Sequence, residues 1–402
     1  MPEPIADALV LVFTHEVSLR EWQDTGMLSR EWALYRALLP YYKKLVLVTY
    51  GGGDDPAVLE PLLAGEERSR ISFITNAQKL PTGQYVASLP QRVSAELAGC
   101  KSVVVKTNQM AGGDAAIRIA DSIQAGRSTA LVARGGYLWT RFVSHEHGPH
   151  SKQADDAAAR EKALCTAADM VVGTTHEMVE DLAWRYGLDP SRTAVIPNYV
   201  LVDKDPVPTD AREKGFLLYA GQLIPRKRVG LLIEAVGLIE PEIRKSIRFE
   251  VVGDGVQRAE LEALAAKLDV PAKFISRIPH EELREKMRRC SMYVQASELE
   301  GHPKTILEAM AAGTVVVAAE APGMEVIRHG LSGLRLAAEP RIFAHAITEV
   351  LADADWCQAI GSAAATAVRH TYALETVLPL EVASHRRALA AATRGSRSTA
   401  AA

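Results

Sequence analysis

Ser297-Glu298-Leu299-Glu300-Gly301-His302-Pro303-Lys304-Thr305-Ile306-Leu307-Glu308-Ala309-Met310-Ala311-Ala312-Gly313 holds a turn, a helix and two carboxylates in one short stretch. The run before it, Met292-Tyr293-Val294-Gln295, reads as a buried strand. Gly301 and Pro303 mark the turn, Lys304 to Ala312 has helical propensity, and Gly313 closes the helix. Glu300 is therefore expected in a strand-to-helix loop. The amides of Lys304, Thr305 and Ile306 are unpaired at such a helix start, where they and the helix dipole favour an anion such as a diphosphate. Glu308, one turn further on, is spaced to reach a pair of vicinal hydroxyls.

Outward from this stretch, short β-branched runs alternate with helix-length segments, the pattern of a parallel sheet covered on both faces. One set of strands is expected at Ala8–Phe13, Leu45–Thr49, Ile71–Ile74, Ser102–Lys106, Ala130–Ala133, Met170–Gly173 and Thr193–Ile196. A second is expected at Phe216–Ala220, Phe249–Val252, Lys273–Ile275, Met292–Gln295 and Val315–Ala318. The fold class is α/β, with two Rossmann-like, doubly wound domains. Their expected bounds are 1–198 and 211–373, separated by a proline-bearing linker and hinge at 199–210. A helix at 374–391 and a disordered tail at 392–402 follow.

Two further motifs carry chemistry. In Leu218-Tyr219-Ala220-Gly221-Gln222-Leu223-Ile224-Pro225-Arg226-Lys227-Arg228, a glycine ends a strand ahead of clustered cations suited to a diphosphate. Glu250-Val251-Val252-Gly253-Asp254-Gly255 runs a strand into a tight turn, and Ile275-Ser276-Arg277-Ile278-Pro279 ends the next strand.

The Glu-x7-Glu spacing running into Glu-Ala-Met-Ala-x-Gly and a hydrophobic strand resembles the retaining, nucleotide-sugar-dependent glycosyltransferases of family 4, with their GT-B pair of Rossmann-like domains facing a central cleft. The likeness is close from Gly215 to about Leu336 and holds in outline elsewhere. It implies catalytic roles for Lys227 and Arg226 on the diphosphate and for Glu300 beside the donor sugar. It implies donor binding by Gly221, Gln222, Gly253, the backbone of Arg277 and Ile278, the loop Gly301-His302-Pro303, Lys304, Thr305, and Glu308 on the ribose. Position 222 departs from the family, which has arginine there. The family setting implies metal-independent hexosyl transfer with retention and no cofactor. The donor is a UDP-sugar first and GDP-mannose second, and the acceptor a glycan, glycolipid or small molecule, usually in surface polysaccharide biosynthesis. The returning helix is implied to pack on the first domain.

Composition agrees. The 402 residues carry 46 Lys+Arg against 49 Asp+Glu, so no global charge draws the chain to nucleic acid. Cys100, Cys165, Cys290 and Cys357 form no paired motif, as in a reduced cytoplasmic protein. No signal or membrane span is expected. Trp32, Leu34, Tyr35, Leu38 and Leu39, interspersed with Arg30, Arg36, Lys43 and Lys44, offer a peripheral contact at the inner membrane face, weighed against an ordinary packed helix. On the acceptor side the candidates are Gly26, Lys106, Asn108, Arg134 and Tyr137, the last four near strand ends. His145-Glu146-His147 and Asp203-Lys204-Asp205 spell metal motifs without the matching context, and no metal is expected. Two other classes stay open: a non-catalytic nucleotide-sugar binder, which Gln222 favours, and a nucleotide-sugar epimerase or hydrolase.

Overall fold

The computed structural model describes residues 2–203 and 211–394. Seven short apolar runs form the first sheet: β1 (Ala6–Val12), β2 (Tyr42–Val48), β3 (Ile71–Ile74), β4 (Ser102–Thr107), β5 (Ser128–Arg134), β6 (Met170–Gly173) and β7 (Thr193–Val195). All its pairings are parallel, in the order β3-β2-β1-β4-β5-β6-β7. The second sheet holds β8 (Glu213–Ala220), β9 (Arg248–Val252), β10 (Ala272–Ile275), β11 (Cys290–Gln295), β12 (Val315–Ala319) and β13 (Leu334–Leu336). Its order is β10-β9-β8-β11-β12-β13, again parallel. Consecutive residues such as Val103, Val104 and Val105 are all buried, because helices cover both faces and neither side of the strand meets water.

Every strand expected from the β-branched runs forms, with ends shifted by a few residues. One strand was not expected: β13, whose Leu-Arg-Leu is too short and too half-buried to stand out in the sequence.

Contacts divide the chain into two units. Met1–Asp24, Glu31–Pro197 and the chain from Leu378 form the first; Thr25–Arg30 and Asn198–Val377 form the second. Tyr199 and Val200, read from the sequence as linker, are buried, and Val200 bridges to Ala373. The rest of the expected linker and hinge, 204–210, lies outside the described residues. The last helix runs Leu374–Arg394, so the first three residues of the expected tail are helical, and the remainder lies outside the described residues.

In and just after the helix Leu28–Leu38, Trp32, Leu34, Tyr35, Leu38 and Leu39 are each 4% exposed or less. Such burial is worth about 1.5–3 kcal/mol per large apolar side chain. The stripe that suggested a membrane contact is consumed in packing. No described helix is long and apolar enough to cross a membrane.

Candidate donor site

β11 delivers the chain into the loop Ala296–Pro303, and the helix Lys304–Ala311 follows. Pro303 caps it in extended geometry without a side-chain bond, and Gly313, at φ +73°, lets the chain turn back toward β12. The cap supplies no side-chain acceptor to the first turn, a position where helix amides and dipole favour an anion.

Glu300 is fixed from both ends. Its N–H donates to the Pro322 carbonyl at 2.9 Å. A Cβ on Gly323, which sits at φ +88°, would lie 2.4 Å from the Glu300 carbonyl oxygen. The carboxylate bonds the Lys227 ammonium, accepts from Gln295 Nε2 at 2.8 Å and lies 3.8 Å from Arg226 Nη1. Arg226 also donates to the Leu299 carbonyl at 2.6 Å. Burial lowers the Lys227 ammonium below its usual range, with Glu300 opposing. Two cations thus share one carboxylate, which leaves a positive excess in the same second-unit loops as the open helix start. Arg228 turns away to Glu298, 3.0 Å distant.

The glycines of the second motif are needed for close approach. A Cβ on Gly253, at φ +142°, would sit 1.9 Å from the Gly221 oxygen, and one on Gly255 would sit 2.2 Å from that of Leu223. The Gly253–Gly255 turn thereby clasps the Gly221–Leu223 backbone. Asp254 holds the neighbouring strand end by accepting from the Arg277 N–H at 3.2 Å. Gln222 is exposed, and its carbonyl accepts from the Tyr219 hydroxyl at 2.9 Å. Gly301 and Ile278 are half-buried and Arg277 is exposed. The buried His302 gives its carbonyl to Asn198 Nδ2 at 2.8 Å. Lys304 Nζ stands 5.7 Å from the centre of the Tyr199 ring, and Thr305 Oγ1 is 3.5 Å from Gln295 Oε1.

Glu308 is a buried ion-pair residue. One carboxylate oxygen, Oε1, meets Arg30 Nη1 at 3.1 Å and His280 Nε2 at 2.8 Å; the other, Oε2, is buried without a hydrogen-bond partner. Burial alone pushes this carboxyl up, but the Arg30 charge and the His280 bond outweigh it and hold it at about 2. Arg30 was read in the sequence only as a cation of the membrane-contact stripe and His280 was given no role; Arg30 lies 278 residues from its partner here.

The acceptor-side candidates fare differently. Lys106 is fully buried, 2.9 Å from Glu381 Oε2, and Arg134 is buried 3.1 Å from Glu381 Oε1. His385 and Tyr42 complete this network, their Nδ1 and hydroxyl 2.8 Å apart. Lys106 and Arg134 are thus committed to the last helix and do not line an open surface, which corrects their reading as acceptor contacts. Gly26 groups with the second unit and packs on Ile278. Asn108 accepts from the Tyr35 hydroxyl at 3.4 Å, and Tyr137 tilts onto Phe142 with ring centres 4.8 Å apart. A pair given no role in the sequence, His15 and Asp114, meets at 2.8 Å where β1 and β4 end, at the topological switch of this sheet. Gly112, at φ +104°, makes room for the approach, since a Cβ there would crowd the Phe13 carbonyl and the His15 amide.

Among the described residues no three His, Cys, Asp or Glu side chains converge as a metal set. Asp203 instead pairs with Arg284 and Arg288, at 2.8 and 2.6 Å.

Residues 203–367 match the family model described as glycosyl transferases group 1. The D-inositol 3-phosphate glycosyltransferase of Geodermatophilus obscurus is 33% identical over 214 residues, 48% of this chain and 47% of that protein. Its counterpart in Streptomyces bingchenggensis is 32% identical over 227 residues, 51% and 50% of the two chains. The chain spans about half the length of the curated relatives it matches. Among solved structures, Anabaena Alr3699/HepE in complex with UDP and glucose superposes with a TM-score of 0.71 at 19% identity, covering 92% of this chain and 97% of that one. Sucrose-phosphate synthase from Thermosynechococcus elongatus gives 0.73 at 20%, covering 96% and 100%. At these identities the structures speak for the fold alone, and that fold is the GT-B pair of Rossmann-like units. Residues 203–367 of the second unit are therefore similar to the group 1 glycosyl transferases, and the GT-B fold of the chain agrees with that likeness.

Proposed function

We propose that the protein is a retaining glycosyltransferase that moves a hexosyl group from a nucleotide diphosphate sugar, a UDP-sugar ahead of GDP-mannose, to a hydroxyl acceptor. The observation that carries this reading is the Arg226–Lys227 pair sharing Glu300, in the same loops as the uncapped start of the helix Lys304–Ala311. In the reaction, the bond from the anomeric carbon to the diphosphate oxygen breaks and the acceptor oxygen bonds that carbon on the same face. The acceptor proton passes to the departing phosphate. Negative charge grows on the diphosphate, and Lys227, Arg226 and the amides near Thr305 stabilise it. These cations supply the charge that a metal supplies elsewhere, so the reading requires none. Glu300 orients the sugar, and Glu308 receives the ribose hydroxyls.

The acceptor is a glycan, a glycolipid or a small polyol, and we place it near the His15–Asp114 pair in the first unit. The relatives named for D-inositol 3-phosphate make that compound the first acceptor to try. Four free thiols, three of them buried, suit a reducing cytoplasm. The exposed Gln222 favours a second reading, a binder of nucleotide sugars without turnover.

The test is release of free nucleotide from UDP-, GDP- and ADP-sugars, with and without the acceptor, in the native chain and in Lys227→Ala. Turnover that falls about 10²–10³-fold in the variant supports the transferase. Thermal stabilisation without release favours the binder, and no response to any nucleotide overturns both.

A further inference from the structure

The ribose position assigned above is occupied by the protein itself. The segment Thr25–Arg30 groups with the second unit and touches it at three points. Gly26, at φ +72°, lies so close to the strand-end loop that a Cβ would be 2.7 Å from the Ile278 carbonyl oxygen and 3.4 Å from the His280 nitrogen. The Arg30 carbonyl accepts from the Tyr199 hydroxyl. The Arg30 guanidinium, 11% exposed, reaches Glu308 Oε1. The segment therefore lies against Ile278, His280 and Glu308, where base and ribose belong on the donor reading.

The bonding at Glu308 is lopsided. Arg30 and His280 both address Oε1, while Oε2 is buried and unpartnered. A buried carboxylate oxygen without a donor is costly. Two vicinal hydroxyls would supply donors to both oxygens, while His280 stays in place to hold the carboxylate.

We propose that Thr25–Arg30 is a latch on the nucleoside end of the donor site, and that a nucleoside diphosphate binds by displacing Arg30 from Glu308. Arg30 is then the residue that sets nucleotide affinity, because only the unlatched fraction of the protein binds. The inference rests on the donor reading of Glu308.

The test is calorimetric titration of the full chain with UDP, in the native protein, Arg30→Met, Gly26→Ala and the double variant Gly26→Ala/Glu308→Gln, with folding checked by circular dichroism. Arg30→Met removes the charge while keeping a long side chain. Gly26→Ala unseats the segment through the backbone and leaves both Arg30 and Glu308 intact. Each is expected to tighten UDP at least tenfold. Unchanged or weaker binding in either variant overturns the latch; weaker binding in Arg30→Met would make Arg30 a nucleotide contact. Failure of the donor reading looks different: UDP binds no form, or Glu308→Gln leaves the affinity of the Gly26→Ala protein unmoved.

Discussion

Replacing Glu381 by Gln removes the ion-pair partner of the buried Lys106 and one ion-pair partner of Arg134. Lys106 is fully buried, the Arg134 side chain is 8% exposed, and Glu381, fully buried, pairs with both. Breaking a buried pair by removing one partner costs about 3–5 kcal/mol, because the remaining charge is stranded away from water. Here Lys106 loses its ion-pair partner, and burial already lowers its ammonium before that partner is removed. At about 2–4 °C per kcal/mol for a domain of this size class, the melting temperature of the first unit falls by roughly 6–20 °C. Lys106→Met has a milder outcome, about 1–3 kcal/mol, since Arg134 still balances Glu381 and the methionine fills the space. Four tryptophans, Trp22, Trp32, Trp139 and Trp184, lie in the first unit, so urea unfolding followed by tryptophan fluorescence reports mainly on it. A loss below about 1 kcal/mol in Glu381→Gln, or a larger loss in Lys106→Met than in Glu381→Gln, refutes the reasoning. A shift in acceptor KM without any stability change in Lys106→Met would restore that lysine to the acceptor site.

Gly323→Ala puts a Cβ 2.4 Å from the Glu300 carbonyl oxygen at a positive φ, so the backbone bearing Glu300 must move. Turnover is expected to fall at least about tenfold with UDP affinity little changed; equal turnover would show that Glu300 placement does not limit the reaction. Acid sensitivity follows from the buried groups. Glu308 and Glu381, both held at about 2 against 4.5, contribute stability that is complete above pH 4.5 and lost as pH falls toward 2, up to about 3 kcal/mol each. His385, kept neutral by burial down to about 3 against 6.5, adds in the same direction, because between these values the unfolded chain takes up a proton that the folded chain refuses. Unfolding free energies measured from pH 7 to 2.5 should fall monotonically, and less steeply in Glu308→Gln; parallel curves for the two proteins would rule out the Glu308 contribution.

The fold was legible because parallel strands buried on both faces must be written as apolar runs, and the two sets of runs appear in chain order. The loop of Glu300 was legible for a related reason: Gly221, Lys227, Glu300 and the uncapped helix each follow a strand end directly, so sequence neighbours are also spatial neighbours. Gly323 lay within the same logic, as a glycine after β12, but its role shows only once its crowding against the Glu300 carbonyl is seen.

Lys106 and Arg134 were misread for the opposite reason. Polar residues at strand ends face either a ligand or another element, and the sequence near Lys106 cannot say which, because its partner Glu381 is 275 residues away. Glu308 shows the same limit from the other direction: its helix position was readable, and its occupation by Arg30 was not. Both cases are charge pairs closed across nearly the whole chain by segments that leave their own sequence neighbourhood, the last helix in one and Thr25–Arg30 in the other. They differ in what the burial leaves over. At Glu381 an ion pair reaches each carboxylate oxygen, although Oε1 makes no hydrogen bond. At Glu308 both donors fall on a single oxygen and the second is left bare. What sets Glu308 apart is that both of its charged or ring partners address one oxygen, which leaves Oε2 for a ligand hydroxyl.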